Sequence, residues 1–393
     1  MNYKSVTGKN WLFKQYEENY AKKIYETFHF NEILSKIISI RKIELNQIEN
    51  FINPTIKKNL PNPNSIKDMD IATNATISHI QNKNIIGIFG DYDVDGISAA
   101  ALMTRWLTSL GAQVVPFVPH RLRHGYDFGA AGLRAALDAE ADLIVTADCG
   151  TAAHQTVEAA SAAGIDVVIT DHHTVSDALP EATAVVNPLR PDCTYPNKGL
   201  CGTALAYKIC ELVATAVGKD SERLVEYLDL VALATVADMV PLCGENRVLV
   251  HYGLRRFSHT IMPGISALLD VTGVSGRNIT AREIGFVLAP RINSAGRIGE
   301  PTDALQLLLT EDPSEARSLA EKLDTTNQAR KIEDERTLDE ALEILERNYD
   351  LDHDRGIVLA CDGWPPGVIG IVATRLVERT QRPVLMIALD GER

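Results

Sequence analysis

From residue 85 onward the chain alternates short apolar runs with amphipathic stretches. "IIGIF" (85–89) is continuously apolar, as a strand buried on both faces must be. A helical period follows from Ile97 to Leu110 and stops at Gly111. The rhythm then repeats. "VVPFVPH", "DLIVTAD", "DVVITDHH" and "ATAVVN" read as strands, and "AAGLRAALDA" and "HQTVEAASAAG" as helices between them. Strand and helix in alternation predict an α/β fold with a doubly wound parallel sheet. Residues 203–217 and 221–237 predict two further helices. A long charged stretch, Asp312 to Asn348, is polar on most faces, as expected of a helix bridging two domains. After it come strand, helix and strand ("GIVLACDG", "GVIGIVATRLVER", "RPVLMIALDG"), the start of a second, incomplete α/β domain. Residues 1–80 read as a helical and irregular segment broken by Pro54, Pro61 and Pro63. The expected organisation is 1–80, 81–250, a helical linker region 251–350, and 351–393.

Composition narrows this little. Of 393 residues, 45% are hydrophobic and 23% charged, an ordinary globular balance. The first twenty residues hold no apolar signal core. The most apolar helical stretch, 224–240, is interrupted by Glu226, Asp229 and Asp238, so no membrane span is expected. Six scattered cysteines without a C-x-x-C pair suit reduced thiols in a cytoplasmic protein. The net charge of −13 argues against a general polyanion-binding surface but leaves a local groove open. It is uneven: residues 1–90 carry +4 and the rest −17. That shift cuts through one strand–loop–helix unit, so it marks no domain boundary.

Three polar clusters stand where strands end: "GDYDVDG" with Asp91, Asp93 and Asp95; Asp148; and Asp171-His172-His173. In an open α/β sheet the carboxyl ends of the strands form the ligand crevice. One aspartate there is no more than a helix cap. Three clusters on one edge point to cations. Asp and His without Cys suit Mn²⁺ or Mg²⁺ better than structural zinc. Two such ions about 3.5–4 Å apart clamp the attacking and leaving oxygens of a phosphoryl displacement. A capped, solvated turn is the plainer reading of the first loop. A calcium loop is a third, but no glutamate stands at its twelfth position, which is Trp106 counted from Asp95 and Leu102 from Asp91.

"GDYDVDG", "ADCG", "TDHHT" and "VADMVPL", in this order, resemble the four motifs of the DHH phosphoesterases. "LAPRINSAGRIG" and "GWPPGVIGIVATRLVERTQRPVLMIA" further resemble the RecJ family of bacterial single-strand-specific 5′→3′ DNA exonucleases, as does the segment before the first motif. The resemblance implies two Mn²⁺ or Mg²⁺ ions held by Asp93, Asp95, Asp148, His172 and Asp238, with Asp148 bridging. It gives His173 a role at the scissile phosphate, Asp91 a further ligand or water-orienting role, and Asp171 a place behind the histidines. Arg291, Asn293, Arg297 and Arg375 become expected substrate contacts. The implied activity is two-metal hydrolysis of single-stranded DNA in repair and recombination. The implied partners are single-stranded DNA and a helicase or single-strand-binding protein, with no membrane.

Departures qualify that expectation. Pro365 stands where the family usually has histidine, and Phe89 where some relatives have histidine. The "GGGH" motif and the oligonucleotide-binding fold that follow in the family are absent, which leads to the expectation of a C-terminally truncated member. Two alternatives stay open: a small-substrate DHH phosphoesterase acting on oligoribonucleotides, bisphosphorylated nucleotides or cyclic dinucleotides, and a non-catalytic DNA-binding remnant. The tetrapeptide "CGTA" at 149 and 201 reads as a chance repeat.

Overall fold

The structure, a computed structural model, describes residues 3–6, 10–125, 127–176 and 178–389. Its contacts divide the chain into two units, Met1–Leu60 and Pro61–Arg393. In the first, α1 (Glu18–Phe28) and α2 (Glu32–Ile40) bury Ile24, Ile38 and Ile48 between them. Asn31 caps α2 by accepting from the Leu34 N–H at 2.8 Å.

The second unit holds α3 (Met69–Gln81) and a five-stranded parallel sheet: β1 (Ile85–Gly90), β2 (Gln113–Phe117), β3 (Leu143–Ala147), β4 (Asp166–Thr170) and β5 (Ala184–Val186). The strand order is β2-β1-β3-β4-β5. Ile86 pairs with Val114 on one side and Leu143 on the other. The chain therefore leaves β1 in one direction and returns on its other side, which opens a crevice at the carboxyl ends of β1 and β3. Helix α3 belongs with this sheet. Asp68, just before it, accepts from the Val185 N–H on β5, and His79 meets Asp166 at 3.0 Å.

Helices cover both faces. On one, α5 (Ala130–Asp138) and α6 (His154–Ala162) close a core of Phe89, Phe128, Ile144, Val157 and Ile169. Phe89 packs against the rings of Phe117 (5.4 Å) and Phe128 (5.1 Å), so this position serves the core. On the other face lie α4 (Val94–Ser109), α7 (Gly202–Ala216) and α8 (Leu228–Ala237), their facing residues fully buried. The expected 221–237 helix is in fact a 3₁₀ segment, Ser221–Tyr227, leading into α8.

Beyond the sheet lie α9 (Ala289–Ile298) and α10 (Pro313–Asn348), the long charged helix, capped by Asp312 at the Ser314 N–H (2.8 Å). Its C-terminal half packs on a small unit of β6 (Ile357–Asp362), α11 (Ile369–Thr380) and β7 (Val384–Leu389), around Leu338, Leu359, Trp364 and Leu376. β6 and β7 pair in parallel. One face of this pair is covered; on the other, Val358 and Leu385 are half or more exposed. No helix among the described residues is long and apolar enough to cross a membrane. All six cysteines are free thiols.

Candidate metal centre

The helix after β1 begins earlier than its apolar period suggests, at Val94, because Asp93 caps it. Asp93 Oδ1 accepts from the N–H groups of Asp95 (2.9 Å) and Gly96 (3.2 Å). Asp95 thus sits in the first helical turn. The turn is tight: an added Cβ at Gly96 would strike the backbone of Asp91, and one at Gly90 the Gly96 carbonyl. Only glycine lets the helix start so close to the strand end.

Each remaining group is aimed by its own local structure. Asp148 follows β3 in a left-handed conformation (φ 70°), with its N–H on the Thr170 carbonyl at 2.9 Å. Asp171 follows β4 and accepts from the N–H groups of His172 (2.7 Å), His173 (3.1 Å) and Thr151 (3.0 Å), and from His173 Nδ1 (2.8 Å). Asp238 closes α8. The amino end of α7 faces the cluster. Its Gly202 and Thr203 N–H groups donate to Asp95 Oδ2 (2.6 Å) and Oδ1 (2.7 Å), placing a carboxylate at the positive end of a helix.

These groups converge in three sets, the third sharing a member with each of the other two. Asp95, His172 and Asp238 form one. Asp91, Asp93 and Asp148 form another, and Asp148 also groups with His172 and His173. His172 Nε2 lies 2.9 Å from Asp148 Oδ1 and 3.6 Å from both Asp95 Oδ2 and Asp238 Oδ2. Yet His172 Nε2, Asp148 Oδ1 and Asp91 Oδ1 are buried without a hydrogen-bond partner. Atoms that approach so closely without bonding one another point at common centres, as ligands of shared cations do.

The electrostatics agree. Burial, then Asp93, pushes Asp91 up to about 7. Burial, then Asp95 and Asp93, hold Asp148 well above the ordinary carboxylate value. Asp238 rises to about 6, by burial and Asp95. Crowded buried carboxylates resist ionisation until positive charge arrives. Burial would raise Asp171, but the hydrogen bonds from His173 and Thr151 bring it to about 2. Its carboxylate lifts His173 to about 9 in the metal-free site. The donor set, oxygen and imidazole without sulfur, fits two Mn²⁺ or Mg²⁺ ions.

A model of the DHH family, N-terminal domain, matches residues 85–235. A crystal structure of exonuclease RecJ bound to manganese superposes with a TM-score of 0.75 at 36% identity, covering 84% of this chain and 81% of that one. The chain belongs to the RecJ family. It is 34% identical to the single-stranded-DNA-specific exonuclease RecJ of Bacillus subtilis (strain 168), across 98% of this chain and 48% of that protein. It is 40% identical to the Escherichia coli (strain K12) RecJ across 78% and 55%. The chain thus spans about half the length of these curated relatives.

The four expected substrate contacts of this RecJ-family chain occupy different settings. Arg291 bonds Asp324 (2.8 Å) and the Val287 carbonyl (2.6 Å), tying α9 to α10. Asn293 Oδ1 accepts from the Val94 N–H at 3.1 Å and so braces the aspartate turn. Arg297 reaches the Gly367 carbonyl at 3.2 Å, and Arg375 lies 3.3 Å from Asp334. Arg121 stands over the Tyr92 ring, at 5.5 Å. Trp364 is packed, with Nε1 on Glu340 at 2.9 Å, and offers no stacking face. The tetrapeptide "CGTA" stands twice beside the site, once in a loop and once at the start of α7. Its two copies bring the Thr151 N–H to Asp171 and the Thr203 N–H to Asp95. Sequence reasoning passed over Gly202 and Thr203, whose backbone N–H groups meet Asp95.

Proposed function

We propose that this chain is a two-metal-ion phosphodiesterase that removes nucleotides from the 5′ end of single-stranded DNA, serving repair and recombination in the reducing cytoplasm. The observation that carries this is the three linked sets of carboxylates and histidines, with orphaned buried ligand atoms, at the sheet's switch point. Asp91, Asp93 and Asp148 would hold one ion; Asp95, His172, Asp238 and Asp148 the other. Such ions lower the pKa of water and neutralise charge on a phosphate. The chain's own residues do the rest. Asp171 fixes the Nδ1 proton of His173, leaving a cationic imidazole to face the phosphate, stabilise its developing charge and donate a proton to the leaving oxygen. Arg297 and Arg375 place cations beside the turn that carries Asp93 and on the helix beyond.

The test is Mn²⁺-dependent nucleotide release from a long 5′-labelled single strand, with a duplex and a dinucleotide in parallel. Release from the single strand, abolished by Asp148→Ala, supports the reading. Cleavage of the dinucleotide alone assigns the chain to small substrates. Binding without turnover makes it a DNA-binding remnant.

A further inference from the structure

Asp238 reaches the cluster by a different route from the other carboxylates. Asp91 and Asp148 follow strands, whereas Asp238 follows a helix, α8. The chain leaves it through a turn in which Met239 is left-handed (φ 60°) and exposed. The last carbonyls of a helix have no partner within it, so other groups must fix the turn that follows. Asp95, which shares a set with Asp238 and His172, is gripped by the amino end of α7. The spacing of Asp238 from Asp95 therefore depends on how the loop before α7 sits against the turn after α8.

One side chain bonds both. Asn246 lies in the first turn of the helix Gly244–Arg256 and is 1% exposed. Its Nδ2 donates to the Pro241 carbonyl (3.0 Å), three residues after Asp238, and to the Gly199 carbonyl (2.5 Å), three residues before Gly202. Its Oδ1 accepts from Asn197 Nδ2 at 3.2 Å. Both amide protons are thus used, one on each segment. The segments also touch directly: an added Cβ at Gly199 would lie 3.2 Å from Pro241 Cδ. The preceding residue, Glu245, ties the same helical turn to α7. Its Oε2 takes the Lys208 ammonium (2.7 Å) and the Tyr195 hydroxyl (2.8 Å), all three side chains being buried. Apolar packing would join these segments at least as stably as buried polar groups do. A buried amide with directional bonds adds a single allowed arrangement. Here its two donated bonds end on the segments that present Asp238 and hold Asp95, and neither ends on the loops that carry Asp91, Asp93 and Asp148.

We propose that Asn246 is a positioning residue for one of the two cations, the one held by Asp95, His172 and Asp238. By joining the Gly199 and Pro241 carbonyls it sets the spacing of that cation's ligands and leaves the Asp91–Asp93–Asp148 set alone. The inference rests on the two-metal reading and divides the labour between the two ions: one site is built by strand ends, the other is held open to its correct width by a strap between helices.

The experiment is calorimetric titration of the whole chain with MnCl2, with thermal melts alongside. Asp238→Ala identifies which of the two binding events belongs to the strapped site. Asn246→Ala should weaken that same event about tenfold or more and leave the other within about twofold of wild type, as loss of a group that orients a ligand does. Tyr195→Phe is the stability control, since it removes a bond of the same helical turn and touches neither carbonyl. It should lower the melting temperature while both events keep wild-type affinity. Should Asn246→Ala fail to fold, Asn246→Asp, which keeps the shape and replaces the donating amide, takes its place with the same expected outcome. Wild-type affinity at both events, equal losses at both, or the same selective loss in Tyr195→Phe overturns the strap. If the two-ion pattern and nuclease activity of wild type stand beside any of these, the inference alone falls. A wild-type chain that binds fewer than two ions overturns the two-metal reading and the strap together. Selective weakening in a chain that hydrolyses no DNA removes the phosphodiesterase reading and leaves the strap standing.

Discussion

Gly202→Ala is the most exacting single perturbation of the metal centre, although residue 202 is no ligand. An added Cβ there would lie 2.5 Å from Asp148 Cβ, 2.9 Å from its Cα and 3.0 Å from its Cγ. Non-bonded carbons rest at about 3.5–4.0 Å, so one side must retreat by roughly 1 Å. Neither can move freely. The Gly202 N–H is held at 2.6 Å on Asp95 Oδ2, and Asp148 is pinned by its N–H on Thr170 at 2.9 Å. Metal–ligand distances tolerate about ±0.2 Å, so a 1 Å retreat by Asp148 exceeds the tolerance roughly fivefold. We expect Mn²⁺ affinity to fall about 100-fold, equivalent to about 2.7 kcal/mol. The assay is calorimetric titration with MnCl2, with circular dichroism to confirm the fold. Gly370→Ala is the control: it lies in helix α11 with nothing within 4 Å of an added Cβ. It should bind Mn²⁺ as wild type does and gain stability of roughly 0.5–1 kcal/mol. A folded Gly202→Ala that binds Mn²⁺ with wild-type affinity would refute the packing argument and with it the placement of Asp148 at the shared ligand position.

Other consequences are open to measurement. Metal-free protein should lose stability as pH rises from 5 to 8, because Asp91 (about 7) and Asp238 (about 6) sit above their unfolded values. Saturating Mn²⁺ should reverse that slope, since its ligands bind deprotonated; an unchanged slope in a pair of thermal-melt series would argue against both groups as ligands. Asp229 is fully buried far from solvent and raised to about 6, chiefly by burial, despite bonds from Thr260 and Leu230. Its stabilising contribution is present below pH 4 and fades as pH passes 6. Urea titrations should therefore show Asp229→Asn gaining on wild type by about 3 kcal/mol between pH 4 and pH 7, and a pH-independent difference would dispose of the assignment. Asp171→Asn should bring the His173 titration, followed by NMR in metal-free protein, down from about 9 towards its ordinary value; a titration still near 9 would mean another group holds the proton.

Much of this was written plainly in the chain. The βα rhythm from "IIGIF" to "ATAVVN" is strongly periodic, and burial on both faces leaves a parallel strand no other pattern. Strand ends could be read, so the three acidic clusters could be placed on one edge before any coordinates. The start of α4 could not, because Asp93 plays two parts. As a cap it moves the helix three residues earlier than the apolar period begins, and as a carboxylate it joins the site. Arg291 shows a different limit. A motif gives residue types, while the neighbour that claims the side chain, here Asp324 from 33 positions away, comes only with the tertiary fold. Gly202 and Thr203 were not legible, because they meet Asp95 through backbone N–H groups that no side-chain pattern reveals.

Helix α9 is fastened at three points along its C-terminal half. Asn293 takes the Val94 N–H, Gly296 packs so closely on Tyr92 that an added Cβ would lie 2.5 Å from its carbonyl oxygen, and Arg297 rests on Gly367 of the β6–α11 connection. This short stretch touches both the aspartate turn and the β6–α11 connection. A strand that drew on the β6–α11–β7 unit would therefore bear on the aspartate turn, and its binding would share one free energy with that of a cation there. Linkage makes the sharing mutual: by whatever factor a cation tightens the grip on a strand, the strand tightens the grip on the cation.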